Sequence, residues 1–503
     1  MPPTPRPWLM RKPIDAVRGE LEVGGMKRAL GPVQLIMIGI GCIIGAGVYV
    51  MTGAAAANYA GPAVILSFAI AAVACGFICL CYAELASVLP ASGASYAYAY
   101  TVLGEVFAWG LGWMLLFEFG LAGSALAVGF SGYLTSLLGD FGVEVPAALS
   151  TSFIRAEAGP GGVHFVADGG INLVAAAALA AVTAVLIRGI TQSAAVNALL
   201  VVIKAGVLIG FVAVGAGHVD AANWTPFIPA NEGGFRFGSE GIFRAASILF
   251  FAYLGFEAVA TAASEARRPQ RDVPLGILGA LVISTVLYGA VALVMTGLVP
   301  FRALDVPDPI AVAVGAVGMP VLAVIIKVGA LSGLASVLLM NTYAQSRICH
   351  AISSDGLLPA PFAQLHARFR TPAAATMLVA GGSAVAAALL PITLLADLVS
   401  LGTIGVFTVV AIAVMWLRTT HPELERPFRV PFGGIRVRGM WIGTVPVLAL
   451  LSCALMAGPV LIDIVGKAVA GEWIPALILI IYIGSGAAIY LLHGVRNARI
   501  RAT

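Results

Sequence analysis

Three ionisable side chains and one glycine-rich stretch stand where the surrounding sequence offers no water. Glu257 closes the run Phe250-Phe251-Ala252-Tyr253-Leu254-Gly255-Phe256-Glu257, Glu118 sits within Leu116-Phe117-Glu118-Phe119-Gly120, and Lys204 lies twelve residues past Gln192 in an apolar run. A charge at such depth is expensive in hydrocarbon, so by default it faces a cavity or a partner and marks function. Snorkelling is a poor escape for Lys204. Lysine gives up its proton readily on burial, which suits proton carrying; the competing reading is a static counter-charge between helices. Glu257 is either functional or a structural acid bonded to freed backbone. Glu118 either attracts a cationic substrate or pairs with lysine or backbone.

The glycine-rich stretch is Ile43-Ile44-Gly45-Ala46-Gly47, midway along an uncharged run, residues 32–57. That run is long enough to cross a bilayer, which takes about 20 helical residues. Glycine gives up about 1 kcal/mol to alanine in a helix, so its centre is expected to unwind. Free backbone N–H and C=O groups at mid-membrane must be satisfied by protein, water or ligand. A second half-helix would present its positive N-terminal end there, which suits an anionic group. The competing reading is that small residues only let a neighbouring helix pack closely.

The elements that must position these groups are membrane spans. A mean hydropathy of +1.00, with 60% hydrophobic and 10% charged residues, describes an all-α polytopic membrane protein. Apolar runs predict twelve transmembrane helices, near 32–57, 62–88, 105–138, 171–188, 192–217, 241–264, 273–298, 318–343, 373–390, 393–417, 441–465 and 474–493. Placing both termini in the cytoplasm puts 21 of the 28 lysines and arginines on that side, as the positive-inside rule requires. Arg155, Arg236, Arg244, Arg302 and Lys467 fall on the other side, and Lys204 and Lys327 in the membrane. Lys327 lies close enough to its span's outer end to snorkel. Glu84, at the cytoplasmic end of the second span, reads as interfacial packing or gating.

The first and sixth spans each carry a predicted break, one entered from inside and the other from outside. The pattern is a 5+5 inverted repeat plus two C-terminal helices, with the site where the broken helices meet. The expected segments are a cytoplasmic amino-terminal stretch 1–31 without a removable signal peptide, a first repeat 32–217 and a second repeat 241–417. A linker 418–440, two appended helices 441–493 and a cytoplasmic tail 494–503 complete the division.

Several functions are disfavoured by what the sequence contains. A net charge of +4 on 503 residues gives no reason to invoke nucleic acid. The chain has no Gly-rich Lys-Ser/Thr phosphate loop, which argues against an ATP-driven pump. Cys42, Cys75, Cys79, Cys81, Cys349 and Cys453 fall in or beside predicted spans, and no histidine stands at metal-ligand spacing, so neither disulfides nor zinc is expected. No cofactor is expected. An embedded enzyme is also disfavoured, because Cys75, Cys79 and Cys81 share one helix without a nearby histidine.

With these residues in place, the chain resembles the amino acid–polyamine–organocation superfamily of permeases, most of all its cationic amino acid transporter branch. The resemblance rests on Gly45-Ala46-Gly47-Val48-Tyr49, Cys81-Tyr82-Ala83-Glu84 and Pro90-Ala91-Ser92-Gly93-Ala94-Ser95-Tyr96-Ala97-Tyr98. It continues through Phe251–Glu257, Pro269-Gln270-Arg271-Asp272-Val273-Pro274 and Ser354-Asp355-Gly356-Leu357-Leu358-Pro359. The resemblance implies the fold of the sodium-coupled leucine transporter type. It implies a substrate carboxylate at the amides of Gly45, Ala46 and Gly47, an amine at carbonyls near Ile43, Phe251 and Leu254, and the Phe251 ring as a gate. It also implies that Lys204, with Ser336 as neighbour, stands in for sodium, with Glu257 grouped with them in proton coupling. Glu118 and Leu338 are implied as readers of the substrate side chain. Lys327 matches no part of the family pattern.

The expected function is secondary active transport of an amino acid, with cationic ones as candidates, across the cytoplasmic membrane by proton symport and alternating access. The partners are the amino acid, the proton and the lipid bilayer; some relatives also have a small accessory subunit, which nothing in the sequence indicates. An amino acid/amine exchanger and a non-transporting amino acid receptor of the same fold are the alternatives.

Overall fold

A computed structural model of the chain describes residues 10–13, 29–89, 94–159, 162–189 and 194–498. Most of the expected amino-terminal stretch, the Pro90–Gly93 part of the family motif and the tail from residue 499 lie outside the described residues.

Each predicted span falls on helix. The first opens as α1 (Pro32–Ile43), with proline in its first turn and the Gly31 N–H held by Gln34 Oε1 at 3.0 Å, so an otherwise orphaned donor is satisfied. It breaks at Ile44, whose backbone is extended, and resumes as alternating wide π-turns and an α-turn over residues 47–60. Gly61, at φ +60°, and Pro62 stop it, and α2 (Val64–Val88) follows. A short buried helix α3 (Ala94–Val102) leads to α4 (Glu105–Asp140), α5 (Leu173–Ile187) and α6 (Ala194–Gly215).

The sixth span breaks as predicted. α7 (Gly238–Leu249) tightens into a 3-10 turn over Phe250–Tyr253, the chain extends at Leu254, and α8 (Glu257–Thr261) completes the crossing. Then come α9 (Pro269–Leu298), the short α10 (Pro309–Ala316), α11 (Pro320–Ser354), α12 (Ala373–Leu389) and α13 (Ile392–Thr420). The chain's last long helices are α14 (Thr444–Val469) and α15 (Ile474–Ile489). Among the described residues nine helical stretches are long and apolar enough to cross a membrane, and α1, α5 and α12 are shorter apolar ones.

The broadest packing joins α4 to α11 and α13, and α9 to α1 and α2. These surround the two breaks. Leu199, Val202, Ile480, Ile481 and Ile483 are exposed on the outside of the bundle, a belt suited to hydrocarbon. The loop predicted as 139–170 contains an antiparallel hairpin, β1 (Ile154–Gly159) with β2 (Gly162–Ala167). The linker predicted as 418–440 forms a second, β3 (Gly434–Val437) with β4 (Met440–Gly443).

Candidate functional site

The two breaks touch. A Cβ on Gly47 would lie 2.5 Å from Ala252 Cα, so only glycine lets the first break reach the second here. Gly255 holds φ +117°, and a Cβ on it would lie 2.8 Å from the carbonyl carbon of Cys42. Two independent demands, left-handed backbone and close approach, therefore converge on that glycine. Tyr288 of α9 fastens the junction: its hydroxyl donates to the Ile43 carbonyl at 2.7 Å and lies 3.3 Å from that of Ala252. The sequence reading missed Tyr288, because one tyrosine in an apolar helix reads as ordinary core.

Lys204 of α6 reaches the same open end of α1. Its ammonium donates to the carbonyl of Gly41 and to that of Ile44 at 3.2 Å. The last carbonyls of a helix lack intrahelical donors and carry partial negative charge, so a fully buried cation finds its counter-charge in backbone. The Lys204 carbonyl accepts from the Tyr49 hydroxyl at 3.1 Å, and the Tyr49 carbonyl from Tyr133 at 2.8 Å. The lysine stem packs on Gly333 of α11, one turn before the buried Ser336. Lys204 thus joins α1, residues 47–60 and α11.

A cavity of about 560 Å³ opens beside the breaks. Ile43, Gly45, Ala46, Gly47, Phe251, Leu254 and Glu257 are all on its wall. Glu257 accepts the Gly255 N–H at 3.1 Å and so closes the turn that starts α8. The opposite wall comes from α4 and α11, and the cavity continues past Tyr343 to Tyr96, Arg347 and Ala351. Asn341, also on the wall, donates to the Phe119 carbonyl at 2.6 Å. Its i+4 spacing from Gln345, which donates to the Leu116 carbonyl at 3.1 Å, is a polar stripe the sequence reading passed over.

The other named residues stand one layer back. Glu118 turns toward α13, where its Oε1 accepts from Thr403 at 2.8 Å and its Cβ faces Gly402. Leu338 is buried against Gly123 of α4.

Ionic clusters cap the bundle. At the end carrying residues 10–13 and the last described residues, Glu84 of α2 meets Arg418 of α13 at 2.5 Å and accepts the Val430 N–H at 2.7 Å. There Asp355, just past α11, binds Lys12 at 2.7 Å and the Tyr96 hydroxyl at 2.8 Å. At the far end Arg244 of α7 is fully buried, where the charge count assigns it to the outer face. Its guanidinium bonds both oxygens of Asp397 on α13 at 2.7 Å and Asp463 of α14 at 2.8 Å, and it lies over the Tyr59 ring. Lys467 joins Asp463 at 2.8 Å and lies over Phe165 of β2. Lys327 is paired with Asp140 at 2.6 Å and lies 3.9 Å from Asp308. Burial raises the Asp308 carboxyl above the usual carboxylate range, while Ser136 and Lys327 draw it back.

The sequence profile of the family described as amino acid permease matches residues 30–484. A methylthioribose transporter of Bacillus subtilis is 42% identical over 422 residues, covering 84% of this chain and 88% of the relative. The branched-chain amino acid permease BcaP of the same organism is 37% identical over 488 residues, 97% of each chain. A vacuolar cationic amino acid transporter of Arabidopsis thaliana is 37% identical over 416 residues, 82% of this chain and 67% of the relative.

Proposed function

From the premise that this chain belongs to the amino acid permease family, a family of transport proteins rather than enzymes, we propose that it is a secondary active transporter carrying an amino acid across the cytoplasmic membrane by proton symport. In this reading the two broken spans are the first helices of two inverted five-helix repeats, both termini are cytoplasmic, and the bundle rocks about the breaks to give alternating access. Bacterial relatives whose names denote permeases support a cell-membrane location.

One observation carries the proposal: two glycine-bearing breaks meet at a cavity while Lys204 holds the carbonyls that one of them frees. The first turn after the break leaves N–H groups without helical acceptors, and Gly45, Ala46 and Gly47 line the cavity there. The substrate carboxylate belongs at that positive helix start, and its amine at carbonyls around Ile43, Phe251 and Leu254. Phe251 closes the compartment as the broken helices move. Protonated Lys204 ties α1 to α11; deprotonated, it releases them, and proton and substrate then move together.

The test is uptake of labelled amino acid into proteoliposomes, with and without an imposed inward proton gradient. Accumulation driven by the gradient in the unaltered protein, lost in Lys204→Ala while binding persists, is the expected result. Uptake only into vesicles preloaded with amino acid or amine would make the protein an exchanger. Binding without uptake of either kind would make it a receptor.

A further inference from the structure

The compartment that takes the substrate's side chain has walls of a definite chemistry. Beside the breaks, α4 contributes Leu115, Phe119, Ala122 and Leu126, spaced four, three and four residues apart, so that one helical face is turned to the cavity. Facing it, α11 contributes Val337 and Met340. Asn341 is the polar side chain on that face, and its amide N–H is taken by the Phe119 carbonyl.

The charges are placed elsewhere. Glu118 adjoins Phe119 in sequence, but one helical step turns it about 100° away, to Thr403 and Gly402 of α13. Glu257 is the one carboxylate among the described residues lining the cavity, and it accepts backbone N–H at the second break. The cation on the wall is Arg347, whose guanidinium stands over the Tyr343 ring at 5.1 Å, about two turns along α11 from Met340. A side chain with its own charge entering between the α4 and α11 stripes would lose its water and find no opposite charge there.

Resting on the amino acid reading of the site, we propose that the carried substrate is a zwitterion with a neutral, apolar side chain of aliphatic or thioether type, selected by the Leu115–Phe119–Leu126 face of α4 against Val337 and Met340 of α11. Met and Leu side chains on the wall suit flexible apolar groups. Each methylene that fills the compartment adds to binding, and each missing one subtracts. Glu118 then acts inside the bundle rather than on the substrate.

Competition against tritiated leucine on the purified full-length protein in nanodiscs tests this without any variant. Leucine and methionine should displace the label at concentrations about tenfold or more below those needed of alanine, arginine, lysine or glutamate. Arginine or lysine matching leucine would overturn the inference while leaving the amino acid site standing. If none of these amino acids binds, by leucine label or by direct binding of labelled arginine and alanine, the site reading falls and this inference with it. Two variants sharpen the result. Met340→Glu places a carboxylate on the apolar wall and should move the leucine-to-lysine ratio toward lysine by about tenfold or more, whereas Glu118→Gln should leave that ratio where it was. A ratio that shifts with Glu118→Gln would return specificity to the acid behind the wall and overturn the assignment.

Discussion

At the scale of single residues, the site depends on groups that could be seen in the sequence and on others that could not. Lys204 and Glu257 announce themselves because an ionisable group deep in an apolar run needs a reason. Gly47 is visible as a weak point in a helix, but its contact with Ala252 is a meeting of residues far apart in the chain. Gly47→Val is expected to abolish substrate binding, because even a Cβ has no room against Ala252; equilibrium binding of label checks it, and unchanged affinity would displace the site from this junction. Tyr288 was silent for the opposite reason, since its hydroxyl matters only for the carbonyls it happens to reach. Tyr288→Phe leaves the buried Ile43 carbonyl without that donor, a loss of about 1–3 kcal/mol. Lower melting temperature and faster amide exchange around residues 43–47 are the expected signs, and exchange at the native rate would show that the hydroxyl is dispensable.

At the scale of elements, hydropathy marks the spans and glycines mark both breaks, but neither shows that a helix continues through a polar stretch without interruption. The eighth span fades near 343, where the following loop reads as starting helical, and α11 runs through as one helix to Ser354. Asn341, Gln345 and Arg347 depress hydropathy there while facing the cavity or neighbouring helix rather than lipid. The β1–β2 hairpin was hidden in a Gly- and Ala-rich loop. Its strands are held by contacts distant in sequence: the His164 ring nitrogen lies 2.6 Å from Glu472, beyond α14, and Arg236, ahead of α7, donates to the Gly159 carbonyl. Glu472→Ala removes the partner of both His164 and the Phe165 N–H. Faster proteolytic cleavage of the hairpin is therefore expected, with the bundle's own melting little changed. Equal cleavage rates would mean that packing of Val163 and Phe165 holds the hairpin by itself.

At the scale of the whole molecule, charge placement in the sequence suggested an orientation but said nothing of how the helices are tied at the bundle's ends. Arg244 shows why: a tally by side assigns it to the outer face and no more, whereas the fold gives it Asp397 and Asp463 from helices α13 and α14. With Lys467 the cluster is electrically balanced, which makes its burial tolerable, and removing one member leaves a charge stranded. Asp397→Ala should cost about 3–5 kcal/mol, while replacing Arg244 and Asp397 together by apolar residues of similar size should recover much of that. Thermal melting of the single and double variants in detergent decides it; equal melting of the two would mean that the stranded charge is not the source of the loss.

The same cluster bears on how the protein's parts can be inherited. The ten helices that carry the breaks look like a self-sufficient module, and the α14–α15 pair like an addition that recombination or truncation could discard. Excision would still leave a mark. A shortened descendant ending after α13 would lose Asp463 and Lys467 together, so Arg244 would keep a balanced pair with Asp397 but lose its third hydrogen bond and the helix that packs against α7. The Arg244–Asp397 pair would then meet lipid or water where it now meets α14. The appended helices are thus joined to the core by a shared counter-ion as well as by apolar packing.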